Sequence, residues 1–436
     1  MKDNKSMFNH LNNKAMKTLS FYHKTMSIVM MLLMGTGFLF AQNGDSYDTY
    51  KGILIDSKTK QKVAFATITV PETHIGTVSN GDGEFTIKIQ KSLNAKEFQI
   101  SHMGYKTKQV TLASLTKNGN EILVEPSSVE LKGVTIRPEN AINIVQNALS
   151  KIPVNYSEKP SMQTGFYRET IKQRRDYLSI SEGIVDIYKS SYKNSIEGDR
   201  VRIFKARKSS NVKSADTLML KLMGGPSVSL LLDIARNSDL IFWEDDNLRS
   251  YIFSIEDIVT INGKTNYVIS FTQKPYVKIP MYVGKLYIET ESLAITMAEF
   301  SINLEDKEQA SQLFVKKKPA GVKITPTSTK YLVTFVEQNG KYYFNYARNE
   351  LSFKCNWKQR LFSSNYTVMS ELAITDRDLA NVDKFPARDG VRANSIFADM
   401  VTSFSNGDFW GEHNVIEPDE SIDAAIKKYG KRLKRE

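Results

Sequence analysis

The sequence is poor in the residues that build covalent and metal-held sites. It contains a single cysteine, Cys355, which excludes an internal disulfide. It contains five histidines, but no His-Glu-x-x-His motif and no cysteine pair accompany them, so the pattern of a zinc site is absent. A Gly-x-Ser-x-Gly motif and a glycine-rich phosphate loop are also missing. These absences favour a protein without a metal, a cofactor or a catalytic centre.

Long apolar runs are lacking as well. No stretch of about 18 apolar residues occurs, so no membrane-spanning helix is predicted. A shorter run over residues 28–40 follows several lysines and precedes Ala41. A basic region, a short apolar region and a small residue are typical of a secretory signal peptide. We therefore expect residues 1–41 to be removed on export, the alternative being an N-terminal membrane anchor.

Charge and export together limit the partners. Lys and Arg total 59 against 48 Asp and Glu, a net charge of +11. This mild excess is not the footprint of a nucleic-acid binder, and export argues against nucleic acid as a partner. The lone cysteine lies far from the expected cleavage point, so lipid attachment at the mature N-terminus is not available. We expect a periplasmic or outer-membrane-associated protein that is not a lipoprotein and that can contact a membrane peripherally.

Residues 50–136 have the pattern of a small all-β module. Apolar and polar side chains alternate over residues 85–89, which is typical of a strand with one solvated face. Residues 80–83, Asn-Gly-Asp-Gly, are a turn signal because these pairs tolerate positive φ. Asn80, Asp82 and Glu84 could also be interpreted as a calcium loop, but three side chains do not supply the six to eight oxygens that calcium takes.

Four motifs in this module carry a family resemblance. They are Gly52-x-x-x-Asp56, Ala66-Thr-Ile-Thr-Val70, Gly76-Thr-Val-Ser-Asn-Gly-Asp-Gly-Glu-Phe85 and Ile100-Ser-His-Met-Gly-Tyr105. Together they resemble the carboxypeptidase-regulatory-like domain, which is common at the N-terminus of exported Bacteroidota proteins. The resemblance implies a seven-stranded, transthyretin-like β-sandwich. It implies no peptidase activity, because the zinc-binding catalytic domain of such enzymes is a separate one.

Helices are predicted on both sides of the remaining chain. In a linker over residues 137–160, apolar residues recur at helical spacing from Ala141 to Leu149, and Pro153 is expected to end the helix. Residues 377–436 form a C-terminal segment with a helix from about Asp419 and a basic tail. The cations of the tail suit the helix dipole and could touch lipid headgroups, although a solvated helix end explains them more simply.

Residues 161–376 are predicted to form a larger antiparallel β domain with an inserted helix over residues 226–236. Asn262-Gly263 and Asn339-Gly340 each mark a hairpin. Phe166-Tyr-Arg-Glu169 and Phe409-Trp-Gly-x-x-Asn-x-Ile-Glu-Pro418 resemble a family of uncharacterised exported Bacteroidota proteins. The succession of long strands around a helix is similar to the half-barrel of periplasmic lipoprotein carriers of the LolA/RseB kind.

One strand pattern changes phase. Tyr342, Phe344 and Tyr346 are predicted to share a face, whereas Leu351, Phe353 and Cys355 have the opposite parity. A shift of one residue moves side chains to the other face of a strand, so a β-bulge is predicted between positions 347 and 350.

Aromatic residues in the predicted strands are the candidate ligand-binding set. We select Tyr267, Phe271, Tyr282, Tyr342, Phe344, Tyr346 and Trp357. As a site, they would line an apolar concave face for an acyl chain or a lipidated partner. The alternative is an ordinary β core, since aromatic residues favour strands and bury themselves. Ligand binding would require a continuous cavity behind the strands of residues 250–357.

The sequence therefore predicts a mainly β, two-part exported protein with two or three helices in its larger domain. The favoured function is a non-enzymatic binding or assembly module of the cell envelope, with a lipid-like ligand or an outer-membrane protein as partner. One alternative is a glycan or peptide hydrolase that uses carboxylates such as Glu289, Glu291 and Glu299. Another is surface glycan binding through Trp243, Trp357 or Trp410.

Overall fold

The computed structural model describes residues 46–116, 119–127, 141–193, 197–210, 225–242, 248–314, 321–358, 361–392, 394–401, 409–419, 422 and 424. Within these residues the chain is mainly β, which confirms the fold class predicted from the sequence. A small sandwich precedes a ten-stranded sheet, and four α-helices accompany the larger sheet.

The N-terminal part is a sandwich of seven strands in two sheets. The strands are β1 (Tyr47–Asp56), β2 (Thr67–Thr69), β3 (Gly76–Val78), β4 (Glu84–Gln90), β5 (Glu97–Ser101), β6 (Lys108–Thr111) and β7 (Asn120–Val124). One sheet has the order β4-β1-β7 and the other β3-β2-β5-β6, with β1 and β7 parallel. Leu54, Ile68 and Phe98 are fully buried in its core. The expected seven-stranded sandwich is confirmed.

The turn before β4 shows why its sequence is Asn-Gly-Asp-Gly. The side-chain Oδ1 of Asn80 accepts hydrogen bonds from the backbone N–H groups of Asp82 (2.9 Å) and Glu84 (2.8 Å). Gly83 has φ of +74°, and a Cβ there would lie 2.9 Å from the Leu54 carbonyl oxygen. The amide of Asn80 is therefore used to close the turn, which supports the turn interpretation over a calcium loop.

The larger part is an open antiparallel sheet of ten strands. The strands are β8 (Ser161–Gln173), β9 (Asp176–Lys189), β10 (Arg200–Ser210), β11 (Tyr251–Ile261), β12 (Lys264–Gln273), β13 (Tyr282–Glu289), β14 (Ile295–Ile302), β15 (Val322–Gln338), β16 (Lys341–Trp357) and β17 (Ser364–Asp378). Their order is β10-β9-β8-β17-β16-β15-β14-β13-β12-β11, so β10 and β11 are the edges. Asn262-Gly263 and Asn339-Gly340 form the two predicted hairpin turns, each with positive φ at both residues.

The helices pack mainly on one face of this sheet. They are α1 (Ala141–Ser150), α2 (Ile152–Asn155), α3 (Gly225–Leu231) and α4 (Lys307–Phe314). The apolar stripe of α1 is buried in the same core as Phe271, Phe335 and Phe344 of the sheet. The helix-covered face of the sheet is thus the hydrophobic centre of the larger part.

Helix ends differ from the predictions in three places. Pro153 does not end the linker helix, because α1 stops at Ser150 and Pro153 lies in the first turn of α2, where its missing N–H is tolerated. The inserted helix ends at Leu231 rather than residue 236, because the chain continues in tight turns. Helix α4 was not predicted, although the Asp306 carboxylate caps its first N–H groups.

The bulge in β16 lies earlier than predicted. Thr334 pairs with Tyr346 and Phe335 pairs with Phe344, which leaves Asn345 as the extra residue. Phe344 therefore packs in the helix-side core, whereas Tyr346 packs on the opposite face. The prediction that Tyr342, Phe344 and Tyr346 share a face is wrong, because one inserted residue reverses the alternation.

Several predictions fall on residues outside the described ranges. These are the signal peptide over residues 1–41, the start of the linker helix near residue 138, Trp243 and the basic tail. Of the predicted C-terminal helix, residues 419, 422 and 424 are described, and 422 and 424 are helical. The Asp419 side chain accepts a hydrogen bond from the backbone N–H of Ile422 at 2.8 Å.

Candidate functional site

The predicted aromatic set does not form one surface. Phe271, Phe344 and Tyr342 lie in the helix-side core, with exposed fractions of 0%, 0% and 4%. Tyr267 and Tyr282 are half-buried against the same core. The structure brings these five residues to one face.

The other two members of the set lie elsewhere. Tyr346 is fully buried on the opposite face of the sheet. Trp357 is half-buried in a separate cluster near the end of β16. Neither can share a binding surface with the five residues of the helix-side core.

Side chains of the helices and loops occupy the space in front of these aromatic residues. The rings of Phe242 and Tyr251 pack edge-to-face on Phe271, with centroids 5.5 Å and 5.7 Å away. Tyr156 packs edge-to-face on Phe335, and its hydroxyl donates to the Ile295 carbonyl at 2.6 Å. Burial raises the pKa of the Tyr156 hydroxyl well above its usual value. These contacts are those of a packed core.

The opposite face of the sheet carries charge instead. Arg348, Glu371, Arg168, Glu182 and Arg207 occupy adjacent strands β16, β17, β8, β9 and β10 and are cross-strand neighbours in that order. We call these five residues the charge ladder. The exposed fractions of Arg168, Glu182 and Glu371 are only 1%, 1% and 2%. Positive and negative groups alternate along the whole ladder.

Every step of the charge ladder is an ion pair. Arg168 lies 2.7 Å from Glu182 and 3.1 Å from Glu371. Arg207 lies 2.9 Å from Glu182, and Arg348 lies 3.1 Å from Glu371. Burial by itself would lower the pKa of Arg168, but the carboxylates of Glu182 and Glu371 raise it. Burial would likewise raise the pKa of Glu182, but Arg168 and Arg207 lower it, so each member holds its partner in the charged form.

A C-terminal segment, residues 409–419, covers the charge ladder, and we call it the strap. The Arg168 guanidinium donates to the carbonyl oxygens of Ile416 at 2.8 Å and Glu417 at 3.3 Å. The guanidinium of Arg207 lies 4.7 Å from the centre of the Trp410 ring. Trp410 packs edge-to-face on Phe166 of β8. The strap thus accepts hydrogen bonds from the Arg168 guanidinium in addition to those that the carboxylates accept.

The strap also binds the sandwich. The Asn414 side chain accepts from the backbone N–H of Lys88 at 2.6 Å and donates to its carbonyl at 3.0 Å, as a neighbouring strand would. Thr77 donates to the Val415 carbonyl at 3.1 Å. Asn80 donates to the Pro418 carbonyl at 3.2 Å, so the turn that closes β4 also holds the strap.

Direct contacts complete this junction between the sandwich and the ten-stranded sheet. The Phe65 ring stacks on Tyr346 with centroids 6.2 Å apart, and the Arg348 guanidinium lies 4.9 Å above Phe65. Asn345, the bulged residue, donates to Thr67 at 3.1 Å. The bulge therefore turns Asn345 and Tyr346 toward the sandwich. Sandwich, strap and sheet share one buried cluster.

A polar cleft of about 440 Å³ lies beside the junction. Residues 69–74 of the sandwich and residues 336–339 of the sheet line opposite sides. His74 Nδ1 and Gln338 Oε1 are 2.7 Å apart across it. Of the predicted set only Tyr342 lines this cleft, and Trp357 lines a shallower groove beside α4.

Among the described residues, the side chains considered as metal ligands, catalytic carboxylates or a nucleophile do not come together. Within them, no three His, Cys, Asp or Glu side chains come together as metal ligands would. Glu289 accepts two backbone N–H bonds of the turn after β13, while Glu299 accepts from the Tyr287 hydroxyl. Burial raises the pKa of the Cys355 thiol to about 11, which keeps it protonated.

The tryptophans that could form a glycan platform are not arranged as one. Trp410 is buried in the junction, and Trp357 is half-buried. None of the described helices has the length and apolar character that crossing a bilayer demands.

One end of the ten-stranded sheet differs from the rest of the surface. The β8–β9, β12–β13 and β16–β17 connections all lie at this end, which we call the loop end. It holds the four most exposed large apolar side chains of the described residues: Leu361 (97%), Phe362 (78%), Tyr276 (67%) and Ile279 (65%). Sequence reasoning missed this end, because exposure of a loop residue leaves no periodic signal.

Two comparisons with known proteins bear on the domains. Residues 50–136 match a family model described as a CarboxypepD_reg-like domain. Among solved structures, the chain is similar to a domain from Vibrio parahaemolyticus designated a candidate outer membrane lipoprotein-sorting protein. That likeness has 10% identity, covers 56% of this chain and 96% of the other, and has a TM-score of 0.24.

Two further solved structures show a comparable likeness. A LolA superfamily protein from Nitrosomonas europaea is 10% identical over 58% of this chain and 97% of the other, with a TM-score of 0.21. A DUF1329 family protein from Desulfovibrio piger is 11% identical over 54% and 91%, also with a TM-score of 0.21. These values are too low to support a conclusion about function. No curated protein sequence matches the chain. Residues 50–136 are a CarboxypepD_reg-like domain. Phe65 and Val78 of its described part share a buried cluster with the strap and the sheet.

Proposed function

We propose that the protein is an exported, non-catalytic binding module of the cell envelope that acts through its surface. Its partner is a lipid or an outer-membrane component, contacted at the loop end of the ten-stranded sheet. The observation that carries the proposal is the concentration there of the four most exposed large apolar side chains. Single exposed apolar side chains are ordinary on a protein surface, whereas two exposed pairs at one end of a sheet offer a partner several contacts.

The two faces of the sheet support this choice by elimination. The helix-side core is occupied by packed aromatic and aliphatic side chains, including Phe271 and Phe344. The other face is occupied by the charge ladder, the strap and the sandwich. A partner that binds the ten-stranded sheet itself without unpacking either face uses an edge or an end of that sheet.

Fractionation of cells tests the proposal. A bacterium expressing the full chain is lysed, and the protein is followed in the soluble and membrane fractions. We expect it in the membrane fraction, released by high salt, and with no stoichiometric lipid in native mass spectrometry. A soluble protein that carries one bound lipid per chain would contradict the proposal, because it would show an internal cavity.

A further inference from the structure

We propose that the loop end docks on a bilayer that contains anionic phospholipid, with one projection as its anchor. The projection consists of the β8–β9 turn and the described residues of the β16–β17 connection. We call five of these residues the tip: Arg174, Arg175, Lys358, Leu361 and Phe362. This inference rests on the proposed function and names its partner.

The apolar part of the tip is the pair Leu361 and Phe362. They expose 97% and 78% of their surface, more than any other large apolar residue of the described chain. When two adjacent apolar side chains at the end of a hairpin enter a lipid interface, their apolar surface is removed from water. The protein does not have to refold for this to happen. A bulky pair of this kind is a costly feature in water unless a partner covers it.

The charged part of the tip is mainly basic, with Asp176 following the two arginines of the turn. Arg174, Arg175 and Lys358 are exposed, and none of the three forms an ion pair with a residue that the structure describes. The arginines of the charge ladder differ, because carboxylates already neutralise them. Unpaired cations beside an apolar pair complement an anionic membrane surface, where each adds to the attraction.

The two halves of the tip are held together. The backbone N–H of Arg174 donates to the Asn365 carbonyl at 2.8 Å, and its guanidinium donates to the Ser363 carbonyl at 3.4 Å. Below them, Phe353, Cys355 and Tyr366 form a buried cluster. The cations are therefore positioned beside the apolar pair before any membrane is met, which lowers the entropic cost of docking.

The β12–β13 loop offers a second, weaker contact at the same end. Tyr276 and Ile279 are exposed there, and Lys274 and Lys278 flank them. Helix α4 lies between this loop and β15, because one groove is shared by residues 274–280 and 305–309 and another by residues 307–312 and 321–325. Lysines and exposed apolar side chains thus occur together in this loop as well, although Glu305, Asp306 and Glu308 line the far side of its groove.

Vesicle flotation with the purified full-length protein tests the inference. The probes are vesicles of phosphatidylcholine alone and vesicles with about one quarter phosphatidylglycerol, at low and high salt. We expect binding to the anionic vesicles only, weakened by salt. The variant Leu361→Ser/Phe362→Ser should lose binding about tenfold or more, since it removes the buried apolar area. Arg174→Gln/Arg175→Gln should bind more weakly and with less salt dependence.

The matched control is Val154→Ser. Val154 is 64% exposed on α2, away from the loop end, and its variant should bind like the unmodified protein. Because all substituted side chains are exposed, each variant should keep the unmodified melting temperature. Equal binding by the Leu361/Phe362 variant, or absence of binding to anionic vesicles, would overturn the inference. Membrane fractionation in cells combined with no vesicle binding would leave the proposed function intact and assign the contact to a protein.

Discussion

The two faces of the ten-stranded sheet are buried by different chemistry. The helix-covered face is mainly apolar, with Ile269, Phe271 and Phe344 fully buried. Lys189, at the end of β9, pairs there with Asp233 at 2.7 Å. The sandwich-covered face carries the charge ladder, in which Arg168 and two carboxylates are equally inaccessible. An apolar face can be covered by any amphipathic element of suitable shape, whereas five alternating charges accept only a partner that satisfies them.

This difference explains how the regulatory-like domain is placed. The sandwich does not attach through an apolar patch alone. Strap carbonyl oxygens accept hydrogen bonds from Arg168, and the Asn414 side chain bonds the backbone of Lys88 in β4. Desolvated charges gain little net stability but are costly to mismatch, so the ladder specifies one arrangement of sandwich, strap and sheet. Because both faces of the ten-stranded sheet are covered, we propose that a partner contacts the loop end.

The largest expected effect is the removal of one charge from the ladder. Arg168→Met leaves Glu182 and Glu371 buried without their shared cation, and we expect the free energy of unfolding to fall by about 3–5 kcal/mol. Chemical denaturation measures it. The control Arg202→Met removes a half-exposed pair with Asp186 and should cost less than about 1 kcal/mol. Equal losses in the two variants would show that burial of the ladder is unimportant.

Glu169, a buried carboxylate of the helix-covered face, predicts a pH dependence. Glu169 accepts from the Tyr167 hydroxyl at 2.8 Å and forms no ion pair with a described Lys or Arg. Burial raises the pKa of Glu169 to about 7. Because the folded state holds its proton between pH 4.5 and about 7 and the unfolded state does not, stability should fall as pH rises through this window.

The size of this effect is about 3 kcal/mol at most, from about 2.5 pKa units at 1.36 kcal/mol each. Glu169→Gln keeps an acceptor for Tyr167 but cannot ionise. The unfolding free energy of the variant should therefore rise, relative to that of the unmodified protein, from pH 4.5 to 7. A constant difference across that range would show that Glu169 is charged in the folded protein.

The strap gives a smaller effect. Asn414→Ala removes both bonds to the Lys88 backbone and should lower the unfolding free energy by about 1–3 kcal/mol. Hydrogen exchange should accelerate most at the amide of Lys88, whose partner is lost. Unchanged exchange there would mean that the strap does not hold β4.

The smallest expected effect lies on the apolar face. Ile269→Val deletes one buried methylene and should cost about 0.5–1.5 kcal/mol, measured by thermal unfolding. Ile252→Val, at a position 50% exposed, is the control and should cost almost nothing. A loss at Ile269 as large as that of Arg168→Met would erase the distinction between the two faces.

The parts of the fold with local sequence signals could be predicted. Several strands of the sandwich and the Asn-Gly hairpins depend on neighbouring residues and turn chemistry. The count of seven strands was implied by the family resemblance. The bulge at Asn345 was recognised as a phase change but misplaced, because only strand pairing locates the extra residue. The position of the aromatic set inside a core depends on α1 and the loops that cover it.

The junction could not be predicted, although its motifs were visible. Arg168 finds one carboxylate 14 residues away and the other 203 residues away. The Phe409-Trp-Gly-x-x-Asn-x-Ile-Glu-Pro418 motif is the strap, but no periodicity reveals that Asn414 pairs with Lys88. In Phe166-Tyr-Arg-Glu169, Arg168 directly follows two aromatic residues, which is a local signal of a buried charge.

The most direct test is hydrogen exchange with mass spectrometry, with and without anionic vesicles. The account predicts added protection in peptides from the β8–β9 turn and the β16–β17 connection, with α1, α3 and the strap unchanged. Loss of protection in α1 or α3 on addition of lipid would contradict it, because the helix-side core would then open to take up a ligand.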